Sequence, residues 1–170
     1  MRNNIGVIIF RHYFLTLSTT EKYLQLMLPV ILAIPFYFLS CCFSKDASDS
    51  FFSMIANVLA ILIGFSFTAL TILTTTDNTH IKTLKDEPSD TVIGQKRISL
   101  YQVDYISFSF ILISEALALI ATIIFSSLNQ ISTLTWNSIM LTLLFILILH
   151  CIFLTISNTL RLYAIFFRSV

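Results

Sequence analysis

Charge is scarce in this chain. Only 11% of its 170 residues are Asp, Glu, Lys or Arg, against 56% apolar, and the mean hydropathy is +0.88. A soluble domain of this size cannot hide that much apolar surface, so a globule surrounded by water is excluded. Glycine, proline and cysteine occur only three times each. Absent, therefore, are the glycine-broken helices and repeated halves common in transporters. Cys41, Cys42 and Cys151 have no metal-ligand spacing and read as small apolar packing residues; only oxidation at Cys41 and Cys42, expected to face outward, would matter. Neither two facing aspartates nor a Ser/His pair with supporting glycines is present, so the expectation is a protein that is not an enzyme and holds no cofactor or metal. No processing signal is expected either. The apolar run 5–10 is shorter than a signal-peptide core and is stopped by Arg11, and Leu39-Ser40-Cys41-Cys42 is a poor lipoprotein box because a cysteine precedes the acceptor cysteine.

What is present is long apolar runs. Four segments, 23–43, 51–73, 100–125 and 136–160, are long enough to cross roughly 30 Å of hydrocarbon at about 1.5 Å per residue. The longest piece outside them, the linker 74–99, is too short for a catalytic domain. Short loops rich in Lys and Arg stay in the cytoplasm. Arg2, Arg11 and Lys22 precede the first span, Lys82, Lys85, Lys96 and Arg97 lie between spans two and three, and Arg161 and Arg168 follow span four. Of the ten basic residues, Lys45 alone falls on the other side. The expected fold class is all-α: a multi-pass, four-helix integral membrane protein with both termini cytoplasmic. The net charge of +1 conceals that asymmetry and gives no footprint for nucleic acid.

Residues 1–18 form a separate N-terminal segment, ahead of a four-span domain 19–170. Ile5, Ile8, Ile9, Phe10, Tyr13, Phe14 and Leu17 can share one apolar surface edged by Arg2, Arg11 and His12, which predicts a short helix lying in the membrane interface. Ser18-Thr19-Thr20-Glu21 has the spacing of a capping box, so the first spanning helix should start near Thr19. Pro29 and Pro35 within it each remove a backbone donor and favour bending.

The second span carries Ala56, Ala60, Gly64 and Thr68, each four residues apart and hence on one face. Small residues at this spacing let helices approach closely where lipid supplies no hydrophobic drive between them. Packing within one chain and packing between subunits are equally open from the pattern alone. Asn57 and Thr71, seven residues either side of Gly64, could add hydrogen bonds across such a contact.

Glu115 stands in the middle of the third span, where a carboxylate is expensive unless paired, hydrated or neutralised. Asp104 and Glu115 are eleven residues apart, close to three turns, as are His150 and Arg161. If spans three and four pack antiparallel about the uncharged loop 126–135, partners at equal depth have residue numbers of constant sum. Asp104 with Arg161 and Glu115 with His150 share one sum, which puts the turn near 132 and 133. Two polar rungs follow: one near the cytoplasmic surface and one at mid-membrane, either a clamp on helix register or a proton-linked switch.

In the linker, Lys82, Lys85, Lys96 and Arg97 balance Asp77, Asp86, Glu87 and Asp90. Asp77 can cap a short helix with Ile81 and Leu84 on one side, broken by Glu87-Pro88-Ser89-Asp90. His80 reads as solvated, and the linker as either a docking surface or a mobile loop.

Four spans in a small chain, with Ile63-Gly64-Phe65-Ser66-Phe67-Thr68-Ala69-Leu70-Thr71 ending the second, resemble the membrane subunit of the Kiwa anti-phage defence system. That resemblance implies a bacterial inner-membrane homo-oligomer, a tetramer, bound to a cytoplasmic DNA-binding partner; it carries over no functional residue. The leading expectation is accordingly an oligomeric membrane sensor or scaffold that docks a cytoplasmic protein. The alternatives are a proton or ion pathway lined by Glu115 and His150, and an immunity protein that intercepts a pore-forming bacteriocin in the bilayer.

Overall fold

The computed structural model describes residues 5–17, 19–76, 79–93, 95–129 and 134–167. Among the described residues, six helices and two short strands follow in order: α1 (Ile5–Thr16), α2 (Thr19–Ser40), α3 (Lys45–Thr75), α4 (Thr79–Asp86), β1 (Pro88–Ile93), β2 (Lys96–Ser99), α5 (Leu100–Asn129) and α6 (Leu134–Phe167). Four of them, α2, α3, α5 and α6, are long and apolar enough to cross a membrane. Outward residues such as Leu24, Met27, Ile31, Ile34 and Phe38 on α2 are exposed, as a lipid-facing helix requires. Among the exposed aromatics, Tyr23 and Tyr163 sit at one end of the spans and Trp136 at the other.

The helices start and stop where side chains satisfy free backbone groups. Ser44 Oγ accepts from the Ala47 amide at 3.2 Å and opens α3, with Asp46 in the first turn. α2 starts at Thr19, as the capping-box spacing predicts; Ser18 itself lies outside the described residues, and Glu21 carries an ion pair to Arg161. The helix continues through Pro29 and Pro35. Asp77 and the His80 side chain, assigned from sequence to the linker, also lie outside the described residues.

α3 packs chiefly on α5, α2 on α6, and α5 on α6, so the order across the bundle is α2, α6, α5, α3. One half of the bundle is apolar, built on Phe36, Phe52, Ile55, Leu59, Ala118, Leu141, Leu144 and Ile148, with Phe36 stacked on Phe145 at 4.0 Å. Polar contacts close the end of that half: Asn129 Nδ2 donates to Asp49 Oδ1 (2.6 Å), Asn137 Nδ2 to Ser48 Oγ (3.0 Å) and Ser138 Oγ to the Ser40 carbonyl (3.3 Å).

One element departs from the sequence expectation, and a second makes an unexpected contact. The all-α reading misses an antiparallel hairpin in the linker, with Pro88 paired to Ser99 and Ile93 to Lys96. Thr91, Val92 and Ile93 are β-branched, and the Ile93–Lys96 pair leaves room for only a short connection, the circumstances in which a hairpin outcompetes a loop. With α4, the hairpin caps the start of α5: Ile81 and Leu84 are buried against Leu73 and Phe108, and Lys85 Nζ lies 5.2 Å from the Tyr101 ring centroid. α1 is helical as expected and makes a contact that the sequence did not announce. Tyr13 and Leu17, one turn apart, are buried against Phe110, Ile111 and Leu154, with the Tyr13 and Phe110 rings stacked at 3.9 Å. The helix is docked on the bundle along that face.

Candidate functional site

The buried face of α5 reads Asp104, Ser107, Ile111, Glu115, Ala118 and Thr122, spaced by three or four residues. Glu115 is fully buried, 0% exposed. Its Oε1 accepts a hydrogen bond from Thr155 Oγ1 of α6 at 2.9 Å, and that hydroxyl is shared with the Cys151 carbonyl, also at 2.9 Å. Ser66 of α3 faces the same carboxyl across the bundle without reaching hydrogen-bond geometry, so that Ser66 Oγ and Glu115 Oε2 both lack a partner among the described residues. Three helices therefore converge on one carboxyl, and the groups they contribute are hydroxyls and the Cys151 thiol.

The expected rung between Glu115 and His150 is not formed. His150 Nδ1 is 2.9 Å from the Gln25 carbonyl on α2. A carbonyl only accepts, so Nδ1 carries the proton of this bond. The reason is azimuth: residues 150 and 155 differ by five positions, about 140° around a helix at 3.6 residues per turn. α6 turns Cys151 and Thr155 toward α5, and His150, Ser157 and Arg161 toward α2. Equal depth places two residues at one height and says nothing of the direction they face.

The second expected rung fails in the same way. Arg161 pairs with Glu21 of α2. Asp104 is 6% exposed, feels Arg161 through space, and has an Oδ2 without a hydrogen-bond partner among the described residues.

Gln25, not singled out in the sequence, organises the α2–α6 seam. Its Oε1 accepts from the Tyr13 hydroxyl at 2.8 Å, its Nε2 donates to Ser157 Oγ at 3.5 Å, and its carbonyl takes His150. Desolvation pushes the Tyr13 phenol above its ordinary range, which keeps it a donor. An amide inside an apolar run was the available signal, the same one that marked Glu115. Ser66 and Thr155 gave none, because a hydroxyl in a spanning helix ordinarily satisfies itself on the carbonyl four residues back.

The stripe on α3 lies apart from this centre. Ala56 is half-buried, whereas Ala60, Gly64 and Thr68 are exposed, as are Asn57 and Thr71. A Cβ built on Gly64 meets nothing within 4 Å, and Thr68 Oγ1 donates back to the Gly64 carbonyl at 2.8 Å. Of the two alternatives left open by the spacing, packing within the chain is not what these three residues do: α3 contacts its neighbours through Phe52, Ile55, Leu59, Ser66 and Leu73.

Cys41 and Cys42 are exposed beside the α2–α3 connection, and Cys151 is buried against the Glu115 site. No family model, no curated protein and no solved structure matches this chain.

Proposed function

We propose that the protein is an oligomeric membrane scaffold or sensor subunit, with both termini cytoplasmic, that associates through the outward face of α3 and offers α4 and the hairpin to a cytoplasmic partner. The observation that carries this reading is the open space over Gly64. A row of small residues is of no use to lipid contact, and its own chain leaves it bare, so a second copy is the occupant that gives the pattern a role. The distribution of Lys and Arg supports the orientation. On that orientation α1 lies at the cytoplasmic interface, its unburied side toward headgroups. The resemblance to the Kiwa membrane subunit would make the assembly a tetramer in a bacterial inner membrane, with a DNA-binding protein as partner and phage infection as trigger.

Gly64→Leu tests the reading directly. The added side chain has no intrachain neighbour to strike, so the fold should be untouched while the assembly dissociates toward monomers in native mass measurements from nanodiscs. An unchanged assembly in a well-folded Gly64→Leu protein overturns association through this face. Pull-down from native membranes with wild type and with Lys96→Glu/Arg97→Glu then tests docking: a partner retained equally by both is not held by the hairpin.

A pathway using both Glu115 and His150 is less well supported, since the two groups belong to different seams. Interception of a bacteriocin has no feature of the fold in its favour.

A further inference from the structure

Beside the first two turns of α5, a cavity of about 320 Å³ opens between α1 and the hairpin. That volume falls at the low end of small-molecule sites, about 300–1,000 Å³. Ile93, Ile98 and Ile106 give it apolar walls, while His12, Gln102 and the phenols of Tyr101 and Tyr105 bring hydrogen-bonding groups. Gln102 Oε1 accepts from the Ser99 amide at 3.0 Å, which leaves its side-chain N–H groups for a ligand. Cations stand at the rim. Lys96 is paired directly across the hairpin from Ile93 and is two residues before Ile98, so all three project from the face that walls the cavity. Lys96 is exposed and has no carboxylate partner among the described residues. Lys85 Nζ lies 5.2 Å from the centroid of the Tyr101 ring. Arg97, paired with Val92, belongs to the opposite face of the hairpin.

The cavity is at headgroup height. α5 has 30 residues, about 45 Å of helix against about 30 Å of hydrocarbon, so a surplus shared between its ends carries about five residues, Tyr101 and Gln102 among them, into the polar layer of the bilayer. Tyr105, an exposed amphipathic ring, and Ile106 then mark the boundary with the hydrocarbon. A ligand for this place needs an anionic end for Lys96 and the donors, and an apolar body for the three isoleucines. We infer that the cavity binds the phosphate of an anionic phospholipid, with Lys96 as the counter-charge, His12 and Gln102 as donors, and the acyl chains passing Ile106 into the hydrocarbon. A free phosphate ester supplies the anion but leaves the apolar walls unused. Because His12 belongs to α1 and Ile93 to β1, one bound lipid ties the N-terminal helix to the hairpin. The inference requires only that the four helices span a bilayer; it depends on neither orientation, oligomerisation nor a protein partner.

Native mass spectrometry of the full chain, titrated with phosphatidylglycerol or with phosphatidylcholine of the same acyl chains, reads the first bound lipid. Phosphatidylglycerol should bind about tenfold more tightly. Lys96→Gln should weaken that binding about fivefold or more and Arg97→Gln less than about twofold, although each variant removes one positive charge from the same exposed stretch of β2. Equal losses in the two variants mean a diffuse surface charge and overturn the inference, as does a wild type that prefers neither lipid. Free glycerol phosphate separates the two sources of the anion: in excess it should leave bound phosphatidylglycerol in place, and its binding as tightly as the lipid overturns the lipid assignment. A second measurement is amide hydrogen exchange in nanodiscs. Replacing phosphatidylcholine by phosphatidylglycerol should slow exchange in β1 and β2 severalfold in wild type and leave it unchanged in Lys96→Gln. Hairpin exchange in wild type that is the same in both lipids also overturns the inference.

Discussion

Replacing Tyr13 by phenylalanine deletes one hydroxyl and keeps the ring on Phe110. The hydroxyl donates to Gln25 Oε1 at 2.8 Å in a site where Tyr13 is 1% exposed, so its loss strips the amide oxygen of a buried partner. Leaving a buried acceptor unmet costs about 1–3 kcal/mol, and hydrogen bonds between spanning helices average about 0.6 kcal/mol, so a cost near 1 kcal/mol is expected for Tyr13→Phe. Tyr13→Ala also removes the ring stacked at 3.9 Å and should cost about 3–5 kcal/mol. If these act on docking of α1 alone, the docked-to-undocked ratio falls about fivefold for the first and more than about a hundredfold for the second. Amide hydrogen exchange in nanodiscs reads this segment by segment: α1 should exchange faster by those factors while α3 and α5 keep their protection. Adding Gln25→Leu to Tyr13→Phe removes the orphaned acceptor as well, and should recover most of the loss. Identical α1 exchange in wild type and Tyr13→Ala would mean that lipid, not the bundle, holds α1, and would refute the packing logic.

Glu115→Gln and Thr155→Val should be strongly non-additive in thermal unfolding, with a coupling of about 0.5–3 kcal/mol, whereas Glu115→Gln and His150→Asn should add to within about 0.5 kcal/mol; the reverse pattern would restore the rung read from spacing. Thr155→Val alone, by leaving both carboxyl oxygens of Glu115 unmet, should destabilise by about 1–3 kcal/mol in the same assay. The Arg161–Glu21 pair is partly exposed, with side-chain exposures of 23% and 34%, so Arg161→Ala should cost only about 0.2–1 kcal/mol and lose its effect in high salt. Asn129→Leu breaks the 2.6 Å contact to Asp49 and should speed exchange at the start of α3 severalfold, leaving α4 and the hairpin unchanged.

Hydropathy alone determined the four spans and the face shared by Asp104 and Glu115, because both follow from local periodicity: apolar length sets what crosses a membrane, and 3.6 residues per turn sets which side chains align. The start of α2 was legible from another local signal, the capping-box spacing of 18–21. What only the tertiary structure decided is the rotation of each helix about its own axis. α6 meets α2 and α5 at once, and the two contacts divide its polar residues, His150 and Arg161 to one side and Thr155 to the other. Depth is a property of one helix in a bilayer, whereas azimuth is a compromise among all its neighbours. The small stripe of α3 shows the same limit: its spacing announced a contact face, and only packing revealed that the chain turns it outward. The hairpin and the docking of α1 likewise depend on residues far apart in sequence, Ile81 against Phe108 and Tyr13 against Phe110, whose meeting no local pattern contains.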